Sequence, residues 1–258
     1  LSNDIFSYGG KLNMQTDMTV GKPMKMLLNF TIPVFLGNVF QQLYSMADAV
    51  IVGKFVGTKG LAAVGATGTI TFLIIGFLMG VTTGVTVLTS QKFGAGRMDE
   101  MRKTVGNAAI LSAVIAVVMT AVSMLGMHRL LVFMHTPEDI FDGAYGYIMI
   151  ICAGIFTQVL YNLVSSILRA LGNSKTPLYF LILAAGLNIV LDLVFIIFFH
   201  WGAPGAAWAT VISQGVSGVL CLIYMWKAVP ELKMKKEDWY FNRDIAVKQI
   251  LSLIHISE

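Results

Sequence analysis

Apolar positions gather into six long runs, at about 26–52, 61–90, 104–127, 144–168, 178–199 and 205–226, with polar and charged residues collected between them. A bilayer hydrocarbon core of about 30 Å takes roughly 20 helical residues. Each run therefore predicts one membrane-crossing helix. The first two are long enough to tilt or to protrude. Glycine recurs along the second, at Gly65, Gly68, Gly76, Gly80 and Gly84, as expected where membrane helices approach closely.

Composition agrees with the pattern. The 258 residues are 56% hydrophobic and 12% charged, against roughly 25% charged in a soluble domain. That deficit leaves too little polar residue to coat a water-facing surface, and it makes this an all-α membrane protein. Of the 18 Lys and Arg, 15 fall in the stretches that share a side with both chain ends; Lys54, Lys59 and Arg129 fall on the other side. The bias predicts cytoplasmic termini. Both cysteines, Cys152 and Cys221, sit inside apolar runs and are expected to pack rather than pair.

Residues 1–18 are polar and lack the apolar core of a signal peptide. They read as an N-terminal tail, with Met14 or Met18 as candidate starts. The six-helix unit covers 19–226. Residues 227–250, mixed in charge and too short for a core of their own, read as a cytoplasmic linker.

The fifth run contains "LNIVLDLVFIIF", in which Asn188 and Asp192 interrupt ten apolar residues. Of 14 Asp and Glu, only Asp48 and Asp192 lie inside runs. A carboxylate near the centre of a membrane helix costs about 2.5–3.5 kcal/mol at the low estimate, and such residues mark ion or substrate pathways. Helical rise puts Asp48, Asp192 and Thr210, on three different runs, within roughly 6–11 Å of the outer boundary. Asn188 lies one turn below Asp192 on the same face. The same four-residue spacing recurs in Gln158 and Asn162, in Thr210 and Gln214, and in the stripe of Gln41, Tyr44 and Asp48. Taken singly, each such pair is better read as interhelical glue; together they predict several helices turned toward one polar cavity. Pro33, within the first run, predicts a kink or hinge.

In a low-dielectric cavity the charged form of a carboxyl is poorly solvated, and a second carboxylate nearby adds to the penalty. Such a pair can hold a proton near neutral pH. It can equally bind Na⁺, with Asn and Thr oxygens completing the shell of a hard cation, so Asp48, Asn188, Asp192 and Thr210 are a candidate Na⁺ site. Either ion neutralises the pair, and its release favours a cationic ligand.

The stretch "MTVGKPMKMLLNFTIPVFLGNVFQQLYSMADAVIVGKFVGTKGLAAVG" resembles the first helix and following loop of the MATE (multidrug and toxic compound extrusion) transporters. "RALGNSKTP" is similar to that family's turn between its fourth and fifth helices, and "LNIVLDLVFI" to its fifth helix. The likeness runs from about Met18 to Gln249. It implies the N-terminal lobe of a twelve-helix transporter that exports cationic or amphipathic compounds in exchange for Na⁺ or H⁺, in a bacterial inner membrane, with a second lobe as partner and no cofactor. It also implies ion-coupling roles for Asp48, Asn188, Asp192 and Thr210, a bending role for Pro33, and cavity-lining roles for Gln41, Tyr147 and Asn162. Other branches carry an amide where Asp192 stands, so the match is to a two-carboxylate, DinF-like branch. After "AVKQIL" the family's seventh helix is expected. Instead "SLIHISE" resembles translated adapter read-through, so 251–258 read as a truncation artefact, with a dimerising half-size protein as the alternative.

Three rival functions weigh less. A lipid-linked flippase of the same superfamily would want bases inside its spans, and these hold acids and essentially none. An intramembrane aspartyl protease would want Gly-x-Gly-Asp, but Asp48 follows "SMA" and Asp192 follows "IVL". A receptor would not carry an even number of spans. No phosphate-cradling glycine loop supports ATP use, no basic surface beyond the orienting loops supports nucleic-acid binding, and the four histidines lack metal spacing.

Overall fold

A computed structural model describes residues 23–234 and 236–255. The start-site reading at Met14 or Met18 and the last three residues of the tail lie outside the described residues. Eight α-helices follow one another: α1 (Pro23–Phe55), α2 (Thr58–Gly94), α3 (Met98–Phe133), α4 (Glu138–Ala153), α5 (Ile155–Ala170), α6 (Lys175–Asp192), α7 (Gly202–Ala228) and α8 (Arg243–His255). A π-helical turn, Leu193–Phe198, extends α6, and short 3₁₀ turns occupy Pro230–Leu232 and Lys236–Asp238. Strands are absent among the described residues.

Five helices are individually long and apolar enough to cross a membrane, and α4 with α5 makes a sixth span bent by 45°. The chain is thus an all-helical, multi-pass membrane protein. The helices outrun the apolar stretches that predict them. α2 and α3 have 37 and 36 residues, roughly 55 Å of helix, because helix-compatible charged turns such as "MDEMRK" continue them past the hydrocarbon.

The bend in the fourth span has a steric cause. A Cβ on Gly154 would stand 2.2 Å from Val211 Cγ2 of α7, so only glycine lets the two helices meet there. The Gly154 carbonyl accepts from the backbone N–H groups of Thr157 and Gln158 and from Thr157 Oγ1, so the carbonyl is satisfied at the break. The α5–α6 turn is likewise built by its residues. Gly172 takes φ +81, Asn173 Oδ1 accepts the Thr176 N–H at 3.1 Å, and Asn173 Nδ2 donates to Thr176 Oγ1 at 3.0 Å.

α7 packs against α4, α5 and α6; α2 packs against α3, α4 and α5; α1 rests chiefly on α6. Buried apolar side chains form two clusters. One surrounds the α4 and α7 starts, with Ile148, Ile151, Ile196 and Ala206; the other lies toward the chain ends, with Met101, Val105, Leu168 and Cys221. Both cysteines are free and buried. α1 is the least buried span, with Met24, Phe35, Met46 and Val50 all more than 60% exposed.

The stretch 227–250, read from sequence as a linker, is docked on the bundle. α8 packs on α2 and α3. Asn107, fully buried on α3, donates to Gln249 Oε1 at 2.9 Å and accepts the Asn242 N–H at 2.9 Å. Gln249 Nε2 donates to the Thr104 carbonyl at 2.9 Å.

Candidate functional site: a buried acid pair between α1, α6 and α7

Asp48 lies seven residues before the end of α1, Asp192 closes α6, and Thr210 is eight residues into α7. With fixed helical rise these positions share a level, and helix rotation brings their side chains together. The Asp48 and Asp192 carboxyls meet side chain to side chain. Asp192 is fully buried, Asn188 is 1% exposed and Asp48 7%. Asn188 Nδ2 donates to Thr210 Oγ1 at 3.4 Å. That bond turns the Asn188 carbonyl oxygen away from Thr210.

Four buried oxygens here lack a hydrogen-bond partner: Asp48 Oδ1, Asn188 Oδ1 and both carboxylate oxygens of Asp192. Among the described residues no Lys, Arg or His forms an ion pair with either acid. Buried orphan oxygens and facing carboxylates are costly unless a proton or a cation joins them. An all-oxygen set of two carboxylates, an amide and a hydroxyl has the chemistry of a hard-cation site.

Tyr147 of α4 is buried within electrostatic reach of both acids. Tyr44, one turn before Asp48, accepts a 3.4 Å hydrogen bond from Gln214 Nε2, while Gln214 Oε1 is itself unpartnered. Tyr147, Tyr44 and Gln214 extend the polar layer across α1, α4 and α7. Tyr44 and Gln214 belong to four-residue stripes in the sequence, which is the signal that points to them, whereas Tyr147 is reached only through the family resemblance.

The other sequence candidates lie elsewhere. Pro33, Gln41 and Asn162 line a separate small cavity of about 40 Å³ between α1, α5 and α6. α1 runs through Pro33 as one helix. Asn162 Nδ2 donates back to the Gln158 carbonyl of its own helix at 2.9 Å, so this N–H makes no bond between helices. Arg169, assigned by sequence to a loop, occupies the last turn of α5 and lines the same cavity. The statement that the spans hold essentially no base is corrected by that placement. The loop assignment follows from the apolar run's end at 168 and from the turn-like "RALGNSKTP", whose first residues in fact complete α5. His128 lies within α3, against the rings of Phe141 and Tyr145.

A six-span helical bundle with a buried, cation-poor acid pair defines a polytopic membrane protein of the transporter kind. The chain belongs to the MatE family, whose family model matches residues 33–194. It is 33% identical over 211 residues to the probable multidrug resistance protein YpnP of Bacillus subtilis, covering 82% of this chain and 47% of that protein. It is 26% identical over 246 residues to the DNA damage-inducible protein F of Escherichia coli, covering 88% and 52%, in line with the DinF-like resemblance. Among solved structures it superposes on a MOP superfamily transporter from Pyrococcus furiosus with a TM-score of 0.85 and 27% identity, covering 91% of this chain and 52% of that one. The chain spans about half the length of the curated relatives it matches.

Proposed function

We propose that this chain is the N-terminal lobe of a cation-coupled multidrug exporter, in which Na⁺ or H⁺ bound at Asp48, Asn188, Asp192 and Thr210 is exchanged for a cationic or amphipathic compound. The observation that carries the proposal is the set of four unpartnered buried oxygens on two facing acids and an amide. A bound ion neutralises the pair and holds α1 against α6. Without it, two adjacent charges repel in a low-dielectric site, and α1, the least buried span, is the element free to yield, with Pro33 as its hinge. The site then prefers water or a cationic cargo. Coupling is a difference in ion affinity between two conformations.

The strong Lys and Arg bias of the loops supports a plasma-membrane orientation with both ends cytoplasmic. Relatives named for multidrug resistance support the exporter over the lipid-linked flippase.

The test is made in a complete transporter that contains this lobe. Asp48→Asn and Asp192→Asn are each expected to abolish drug resistance in a sensitised host at unchanged membrane expression. Resistance left intact in both variants overturns the ion-coupling role.

A further inference from the structure

A groove of about 640 Å³ opens on the bundle surface and shares no residue with the acid pair. α3 and α7 both pack on α5 but do not touch each other, so α5 is left as the floor between two walls. Val159, Leu163, Val164 and Ile167 of that floor are buried, while the lips at Ala113 and Phe156 are exposed. Nearly all of the lining is apolar.

Length and closure distinguish the groove from an ordinary helix seam. Val105 to Ala113 on α3 and Phe156 to Ile167 on α5 span roughly 12 and 16 Å, close to the roughly 15 Å of one leaflet's hydrocarbon. One end is closed by protein. The turns Pro230–Leu232 and Lys236–Asp238 pack on α3 there. They are held by Arg102, whose Nη1 donates to the Glu231 carbonyl and whose Nε lies 3.6 Å from Asp238. Gly106 admits the Asp238 carbonyl, which a Cβ there would meet at 2.1 Å.

At this closed end Trp226 and Trp239 line the groove while remaining 69% and 55% exposed, the half-wet setting of interfacial tryptophans. Next in the chain to Trp226, Leu232 and Met234 at this end stand the exposed Lys227 and Lys233; Glu237, two residues before Trp239, is also exposed, and Glu231 partly so. Neither lysine is in an ion pair among the described residues.

We infer that the groove holds one acyl chain of an anionic phospholipid from the leaflet on the side of the chain's basic loops, with the phosphate beside Lys227 and Lys233. Apolar walls, leaflet length and a closed end flanked by two unpaired lysines and two interfacial tryptophans fit a lipid better than a peptide or a soluble ligand.

The chain is equilibrated with vesicles of equal phosphatidylglycerol and phosphatidylcholine, moved into detergent and weighed by native mass spectrometry. One retained phosphatidylglycerol, in several-fold excess over phosphatidylcholine, is expected. Ala113→Phe, which fills the groove, loses it. Lys227→Gln with Lys233→Gln keeps a lipid but loses the headgroup preference. The proposal is overturned by no retained lipid, by equal retention in Ala113→Phe, by an unchanged preference in the lysine variant, or by a lipid-free dimer, which assigns the groove to a second copy. A variant that needs no groove-filling residue gives a second readout. With Trp201 and Trp208 replaced by Phe, chain-brominated phosphatidylglycerol quenches Trp226 and Trp239 at a lower mole fraction than brominated phosphatidylcholine. Equal quenching overturns the proposal.

Discussion

Thr210 supplies a single hydroxyl, which already accepts from Asn188 Nδ2. Its value to the site is therefore partly orientation: it takes the amide N–H, while Asn188 Oδ1 stays without a partner. Removing it withdraws one oxygen and lets the amide turn. A hydrogen bond is worth about 1 kcal/mol net, about five-fold in affinity. Thr210→Ala in a complete transporter is thus expected to raise the Na⁺ concentration for half-maximal efflux about five-fold, with Asp48 and Asp192 intact. A Na⁺ titration of dye efflux from proteoliposomes measures it. An unchanged half-maximal Na⁺ concentration would remove Thr210 from the ion site; efflux indifferent to Na⁺ in the parent as well would point to H⁺, or to no metal at this site. The acids were legible because a carboxylate inside an apolar run has no other cheap explanation, and because helical rise fixes depth without knowledge of packing. What rise cannot give is azimuth. Asn162 fits the same four-residue spacing yet donates its Nδ2 to its own backbone, and Gln41 lines a cavity that Asp48 does not.

Whole elements were legible where hydropathy decides them and illegible where a partner does. All six spans show as apolar runs. The break between α4 and α5 does not, because "IMIICAGIFTQVL" is apolar on both sides of Gly154 and the glycine is needed only for Val211, far along the chain. α8 was hidden for the opposite reason. Its mixed charges look like a solvated linker, while its packing on α2 and α3 and the buried bonds of Gln249 to Asn107 and Thr104 commit one face to the bundle. The α4–α5 bend yields a sharp prediction. Gly154→Ala places a Cβ 2.2 Å from Val211 Cγ2 and 2.9 Å from Cγ1, an overpacking cost of about 1–3 kcal/mol. A fall of several degrees in the melting temperature of the detergent-solubilised chain is expected. Val211→Ala removes both methyls, so the double variant should regain much of the loss. Equal melting of Gly154→Ala and the parent would mean that α7 slides away freely at this point.

At the scale of the molecule, the two functional ends are held by different means. The acid site depends on α1, which is mostly exposed and rests chiefly on α6. The opposite end is fastened by a polar network that crosses from α3 to α8. Asn107 is the centre of that fastening, since its two amide atoms serve both Gln249 and the Asn242 backbone. Truncating it removes both bonds at once, and the loss of the fully buried one to Gln249 costs about 1–3 kcal/mol. α8 would then undock well before the bundle unfolds. Thr104 makes the control, because Gln249 bonds to its backbone carbonyl, which Thr104→Ala retains. In limited trypsin digestion, Asn107→Ala should be cut at Arg243 and Lys248 many-fold faster than the parent, and Thr104→Ala at close to the parent rate. Equal cleavage of all three would show that apolar contacts alone hold α8. Selective cleavage of Asn107→Ala would instead mark α2, α3 and α8 as one rigid block. In that case a motion begun by ion release at Asp48 and Asp192 is confined to α1 and the helices it touches.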